Sequence, residues 1–351
     1  MSLLEKTILG ISGQNEQARE KARERLSKLT MPHWALGRLM DLSVDLAGMT
    51  GSITPAVKRK TVVVFAGDHG VTAEGVSQYP SEVTPQMVQN FLAGGAGVNA
   101  MAQVSGTRVV VVDIGVDYDF DGANGLFIKK IARGTKNMVA GPAMTRDEAM
   151  RSIEAGIEMA LELADETDLF GTGDMGIGNT TPSSAIAAVL SGKEPQDVTG
   201  RGTGIDDDRL RLKTEVIKKA IEINKPDPND AIDTLARVGG FEIGGIAGLI
   251  LGSASLKKPV VIDGVVSTAG ALLASRISPE ATDYMIASHL GEEPGHGVML
   301  NVLGKNALLN FNMRLGEGSG AALAMNIVDS AERILTSVAT FEEASVAEAD
   351  K

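Results

Sequence analysis

Cysteine is absent from this chain. Disulfides, thiolate nucleophiles and cysteine-ligated metals are therefore excluded, and a reducing compartment is allowed without being required. Aromatic residues make up only 3% of the sequence, with one Trp and three Tyr, so the core is expected to be aliphatic. Histidine is scarce too: only His33, His69, His289 and His296 occur. His289 and His296 are separated by Gly291 and Pro294, a poor spacing for metal ligands. Asp68-His69 reads as a satisfied turn pair, and no Ser-His-Asp arrangement stands out. Neither a metal nor a cofactor is expected. Basic residues are outnumbered, 33 Lys and Arg against 45 Asp and Glu, for a net charge of -12. That balance argues against broad nucleic-acid binding and against an anionic membrane surface. The most apolar stretch, 243–256, is interrupted by glycines and is shorter than a membrane span. Met1 to Lys6 shows no signal-peptide core. A cytoplasmic, soluble protein is the expectation.

What is present suits a globular chain: 351 residues, 43% apolar and 22% charged, with 41 glycines. That length supports one large domain with a satellite, or two domains. β-branched runs at 61–66 and 108–113 lack polar alternation and read as strands buried on both faces. Weaker strands are expected at 168–170, 259–262 and 284–287. Helical patterns at 86–104, 146–164, 183–190, 209–223, 231–238 and 267–274 separate them. This rhythm predicts an α/β fold: a parallel sheet with crossover helices. Residues 14–29 form an amphipathic pattern with Ala18, Ala22, Leu26 and Leu29 on one stripe, and a second helix is expected over 36–49. The acidic, small-residue tail 342–351 is expected to fray.

Four strands end in an acidic residue beside glycine: Gly67-Asp68, Asp113 ahead of Gly115, Gly173-Asp174 and Asp263-Gly264. Ligands of open α/β sheets lie at such ends, although Asp and Gly also serve as ordinary turn residues. The loop 171–182 formally matches G-x-G-x-x-G, but it runs on past its third glycine, with Thr181 as the expected cap and Pro182 in the first helical turn. No acidic residue closes a following strand at the required distance, so a dinucleotide reading is not adopted. Glycines, helix-start amides and the hydroxyls of Thr180 and Thr181 suit a monophosphate better. A second glycine loop at 200–204 precedes a helix carrying Lys213, which is either a cation for that anion or part of a solvated helix face. Near the C-terminus, Glu317 stands between Gly316 and Gly318, just before a small-residue helix with Ser319 as a plausible cap. Glycine on both sides leaves room for a ligand to approach the acid; a turn with its glutamate in water is the alternative. These residues point to an enzyme that binds a small phosphorylated ligand and uses one glutamate as a base.

The chain resembles a known family, the nicotinate-nucleotide:dimethylbenzimidazole phosphoribosyltransferases of cobamide lower-ligand activation. The resemblance runs nearly end to end. It is most specific at Phe65-Ala66-Gly67-Asp68-His69-Gly70-Val71, at Met175-Gly176-Ile177-Gly178-Asn179-Thr180-Thr181, at Val238-Gly239-Gly240-Phe241-Glu242-Ile243 and at Arg314-Leu315-Gly316-Glu317-Gly318-Ser319-Gly320. It implies a Rossmann-like large domain over 56–320 and a small helical domain built from both termini (1–55 and 321–351). The implied protein is a dimer, either a homodimer or a heterodimer with a paralogous subunit. The implied reaction gives an α-ribotide phosphate and nicotinate from nicotinate mononucleotide and an aromatic base.

By this resemblance Glu317 is the catalytic base, and Asp174, with Glu242 and Asp263, stabilises the developing cation. Phosphate and ribose contacts fall on Gly176, Ile177, Gly178, Asn179, Thr180, Gly202, Thr203, Gly204, Lys213 and Asp263. Tyr79, Met87, Met175 and Leu315 would wall the acceptor. Two positions depart from the family pattern. The 30–37 segment carries His33 and Trp34 where small residues are usual, and Asp174 replaces a common Glu. The apolar acceptor wall keeps phenol or p-cresol open beside dimethylbenzimidazole. A catalytically weak paralogous subunit supporting an active partner is the alternative.

Overall fold

The computed structural model describes residues 1–347. Its strands are β1 (Lys60–Gly67), β2 (Thr107–Gly115), β3 (Leu126–Ile128), β4 (Leu169–Met175), β5 (Val260–Ile262), β6 (Met285–Ala287), β7 (His289–Gly291) and β8 (Leu309–Met313). The first six form one sheet in the order β3-β2-β1-β4-β5-β6, and every neighbouring pair is parallel. The valine runs of β1 and β2 lie at its centre, buried as their lack of alternation predicts. This is the expected α/β architecture. Strand order reverses between β1 and β4, which opens a crevice at their carboxyl ends. β7 and β8 pair parallel in a separate small sheet; these two and β3 have no strong signal in the sequence.

Several boundaries differ from expectation for local reasons. β4 runs through Gly171 and Gly173 to Met175 rather than ending at Phe170. A Cβ on Gly171 would sit 2.8 Å from Met325 Cε, and one on Gly173 would sit 2.5 Å from the Glu317 carbonyl. These glycines are strand residues onto which the C-terminal helix and the Glu317 turn press. The 86–104 pattern is two helices, Val83–Leu92 and Gly97–Ser105, broken where Gly94 turns left-handed at φ +77°. The break leaves a fresh helix N-terminus near the crevice. The helix after β4 begins at Thr180 with Asn179 as its cap residue. Thr181 is therefore not the cap, and Pro182 falls in the first turn, where its missing N–H costs nothing. Likewise Gly318, not Ser319, precedes the helix Ser319–Ser337.

Three terminal helices, Glu16–Leu26, Arg38–Thr50 and Ser319–Ser337, share a second core that includes Leu26, Met40, Val44 and Leu335. The helix Leu3–Gly10 packs instead on helices Arg146–Glu162 and Phe241–Ser255. The acidic tail does not fray at its start: Phe341–Ala344 is a short helix with a Thr340–Glu343 capping box, and Arg25 pairs with Glu343 at 3.0 Å. Residues 348–351 lie outside the described residues. Among the described residues, no helix is long and apolar enough to cross a membrane.

The glycine-interrupted apolar stretch is the helix Phe241–Ser255, in which every residue but the last is buried. Its glycines let it touch the helix Arg146–Glu162 backbone to backbone. A Cβ on Gly248 would lie 1.9 Å from the Ile153 carbonyl oxygen. Gly248→Ala is therefore expected to force the two helices apart and to cost about 1–3 kcal/mol, read as a lower denaturation midpoint at unchanged slope. An unchanged midpoint would show that the two helices are not in backbone contact.

Candidate active site

Glu317 sits in an unusual turn. Gly316, Glu317 and Gly318 all have left-handed backbones, at φ +87°, +64° and +94°. Glycine carries this conformation freely, but glutamate does not, so something must hold it. Asp263, just past β5, accepts from the Gly318 amide through Oδ2 at 3.1 Å and from the Ala321 amide through Oδ1 at 2.9 Å. Those amides are otherwise unpaired donors at the start of the helix Ser319–Ser337. Asp263 is thus engaged by backbone and acts as a positioning residue for the turn. The turn aims the Glu317 carboxylate at the start of helix Gly97–Ser105, where Oε2 accepts from the Val98 amide at 3.0 Å. Burial raises the Glu317 pKa, while the Val98 and Gly97 amides oppose the rise.

Asp174, at the end of β4, adjoins this turn: a Cβ on Gly316 would lie 3.3 Å from its Oδ2. Asn179 donates to Asp174 Oδ2 at 2.9 Å. Asp174 Oδ1 is buried without a partner among the described residues. Burial first, then the negative charges of Asp263 and Glu242, push its pKa well above the usual carboxylate range. Glu242 faces a different partner. Its Oε1 lies 2.9 Å from His69 Nε2, with both side chains buried. Burial pushes the His69 pKa down, but Glu242 more than offsets this and the net shift is upward. His69 is therefore an ion-pair partner rather than a simple turn residue. The cluster pairs Glu242 with His69 and ties Asp263 to backbone, but it gives Asp174 and Glu317 no cation.

The two glycine loops lie beside this cluster, and fewer of their amides are free than the sequence suggests. The Ile177 amide donates to Thr84 Oγ1 at 3.1 Å, and those of Asn179 and Thr181 bond back to Gly176 and Gly178. Ile177 and Asn179 are thus used internally. Among the described residues, the amides of Gly178, Thr180 and Thr203 make no bond within the chain. The Gly202 amide is taken by Glu293 Oε1 at 2.8 Å, and the Gly204 amide by the Arg201 carbonyl. Lys213 is not on a solvated face. It is 1% exposed, and its Nζ donates to Thr180 Oγ1 at 2.8 Å and to the Gly200 carbonyl at 3.1 Å. Burial lowers its pKa to about 8, with Glu293 opposing. A buried ammonium bonded only to neutral oxygens, with Glu293 near, is a site made for a further anion.

A cleft joins the two halves, lined by Asp174, Asn179, Thr180, Gly202, Glu293 and Gly316 among others. Leu315 and Glu317 meet at the same place: a Cβ on Gly97 would touch Leu315 Cδ2 and Glu317 Oε2. Met175 and Met87 pack partly buried on the core, whereas Tyr79 is 49% exposed and its side chain makes no hydrogen bond among the described residues. His289 and His296, set aside on spacing, both line the cleft. So does Glu293, which the sequence reading missed; its position ahead of Pro294 was the one available signal, that of a helix start. Among the described residues, no group of three or more His, Asp or Glu side chains is arranged to hold a metal.

Comparison with known proteins gives a consistent result. A family model described as "Phosphoribosyltransferase" matches residues 11–346. The protein of Syntrophotalea carbinolica named nicotinate-nucleotide–dimethylbenzimidazole phosphoribosyltransferase is 56% identical over 351 residues, covering 99% of each chain. The protein of the same name from Desulfotalea psychrophila is 54% identical and covered completely. The crystal structure of CobT from Thermus thermophilus superposes with a TM-score of 0.92 at 44% identity, over 95% of this chain and all of that one.

The buried Lys213 has a thermodynamic consequence. The fall of its pKa from 10.5 to about 8 corresponds to ~3 kcal/mol held against the charged form. Between these values the unfolded chain binds more protons than the folded one, so wild-type stability rises with pH across that window. Lys213→Met is expected to melt at a higher temperature than wild type at pH 7.5 and to lose about half of that advantage by pH 9.5. Inorganic phosphate should raise the melting temperature of wild type only. A variant less stable than wild type at pH 7.5 would refute the electrostatic account.

Proposed function

The chain belongs to the nicotinate-nucleotide–dimethylbenzimidazole phosphoribosyltransferase family, and on that premise we propose that it moves the phosphoribosyl group of nicotinate mononucleotide to an aromatic lower-ligand base for cobamide biosynthesis. The enzyme class is pentosyltransferase. One juxtaposition supports the substrate. Thr180, which accepts from Lys213, and Asp174, which adjoins the Glu317 turn, line the same cleft. Nicotinate mononucleotide carries a phosphate at one end and a cationic pyridinium on ribose C1′ at the other. Its phosphate matches the first half and its pyridinium the second.

In the proposed reaction, the acceptor's ring nitrogen, or the hydroxyl oxygen of a phenol, attacks C1′ from the face opposite the pyridine. The C1′–N bond to nicotinate breaks, and its electron pair neutralises the pyridinium. Inversion at C1′ turns the β-ribotide into the α-ribotide. Positive charge builds on the ribose and then on the acceptor, next to Asp174 and Glu317, where it is stabilised most. Glu317 takes the acceptor's proton as the new bond forms. Its raised pKa suits that task. The base must be ionised, so turnover falls as pH drops through this pKa.

For the acceptor, we propose an apolar wall of Met87, Met175, Leu315 and Tyr79, of which Leu315 lines the cleft. This wall suits a flat ring with few polar groups, and we include phenol or p-cresol with dimethylbenzimidazole in the proposal. We also propose a dimer. The 31–37 segment packs against the far end of the helix Ser319–Ser337, near Ile334 and Leu335. That end lies roughly 25–28 Å from Glu317 at 1.5 Å per residue. A part for this segment in a site would fall on a second copy or a paralogous partner, which is also the arrangement a catalytically weak subunit would require.

Glu317→Gln is expected to lower kcat by about 10²–10⁴-fold and to flatten the acid limb of the pH–rate profile, with binding of nicotinate mononucleotide retained. Unchanged turnover would overturn the base assignment. A competition of dimethylbenzimidazole against phenol, with products separated by mass, is expected to yield an α-ribotide phosphate from at least the benzimidazole. Product from phenol alone would place the chain in a phenol-using branch, and no product from the chain by itself would favour the weak-subunit reading.

A further inference from the structure

Three buried polar atoms in the cleft have no partner among the described residues: Asp174 Oδ1, Glu293 Oε2 and His296 Nε2. Each belongs to a side chain whose other polar atom is fixed. Asn179 holds Asp174 Oδ2. The Gly202 amide holds Glu293 Oε1. The Gly291 amide donates to His296 Nδ1 at 3.0 Å, which makes Nδ1 an acceptor and leaves the proton on Nε2. The ring is 1% exposed, and burial holds its pKa down at about 3, so it stays neutral. The cleft therefore presents two carboxylate acceptors and one neutral N–H donor, all with orientations set by other bonds.

We propose that Glu293 and His296, together with Asp174, recognise the 2′,3′-diol of the substrate ribose. This rests on the phosphoribosyl reading above. Two hydroxyls supply two protons, one for each free carboxylate oxygen, and an oxygen lone pair accepts from His296 Nε2–H. Other parts of such a substrate fit worse. A phosphate or a ring carboxylate would meet two acidic side chains, and an aromatic face offers no protons. Placement agrees. Glu293 is tied to the 200–204 loop beside Lys213, at the phosphate end. Asp174 adjoins Gly316 at the reacting end. A ribose joined to both ends lies between them. Buried groups of this kind reject an analogue that lacks the hydroxyl, because they are then left unpaired.

Two conservative variants separate recognition from scaffolding. Glu293→Gln keeps a carbonyl oxygen for the Gly202 amide and replaces the free acceptor with a donor. His296→Asn keeps an acceptor for the Gly291 amide and removes the Nε2 donor. The measurement is kcat/KM of the full chain for nicotinate mononucleotide and for its 2′-deoxy and 3′-deoxy analogues, with thermal melts confirming that each variant folds. Each variant is expected to lose about 10–100-fold on the ribotide and less than about threefold on the analogue that lacks the hydroxyl it holds, so that the preference collapses. Comparing each variant with wild type cancels the intrinsic lability of the deoxy glycosidic bond. Equal losses on all three substrates, or no loss on any, would overturn the diol assignment while leaving the reaction intact. If Glu293→Gln does not fold, His296→Asn carries the same comparison. A wild-type protein that releases no nicotinate from the ribotide would overturn the reaction and, with it, this inference.

Discussion

The grip of Asp263 on the amides of Gly318 and Ala321 is the interaction on which the rest of the site depends. It caps a helix, and an acid at a helix N-terminus is favourable in itself. More importantly, it holds three successive left-handed residues in place, one of them a glutamate. Without that hold, the Glu317 side chain would have no reason to leave solvent. The sheet supplies the anchor: Asp263 follows β5, and its own amide donates to Thr172 of β4 at 3.0 Å. Strand geometry is thereby passed to the Glu317 carboxylate through two hydrogen bonds.

The second constraint is charge. Asp174, Glu242, Asp263 and Glu317 crowd one buried region, and burial makes each negative charge costly. The fold settles part of this internally through His69 and through backbone amides. The part it leaves unsettled faces the cleft. Lys213 has the opposite need, a buried cation waiting for an anion. A site with two unmet charges of opposite sign is unfavourable when empty, and it is selective for a ligand that carries both. Its groups are held before the ligand arrives, so little reorganisation accompanies the reaction.

Much of the fold was legible because its signals are local. The valine runs of β1 and β2 and the periodic helices between strands announce a parallel sheet. Glycine misled in both directions. Gly171 and Gly173 resemble a loop but belong to a strand, because the packing of a distant helix excludes side chains there. The glycines of Phe241–Ser255 resemble interruptions but are contact points between helices. The role of Lys213 was undecided in sequence, since a lysine on a helix pattern is usually solvated. His289, His296 and Glu293 carried no readable spacing. They meet only because the short β7 and the helix Pro294–Val302 fold back over the crevice.

By itself the sequence determined the secondary-structure rhythm, the exclusion of thiol chemistry, the glycine-flanked acid and the glycine loops. Each is a property of neighbours along the chain, where backbone freedom and side-chain period act directly. Tertiary structure alone decided which amides stay free for an anion, which acids face a ligand and which merely brace a turn. Those outcomes depend on burial and on hydrogen-bond partners brought from far along the chain, such as Thr84 beneath Ile177 or Asp263 beneath Gly318. A one-dimensional pattern carries no record of which partner arrives.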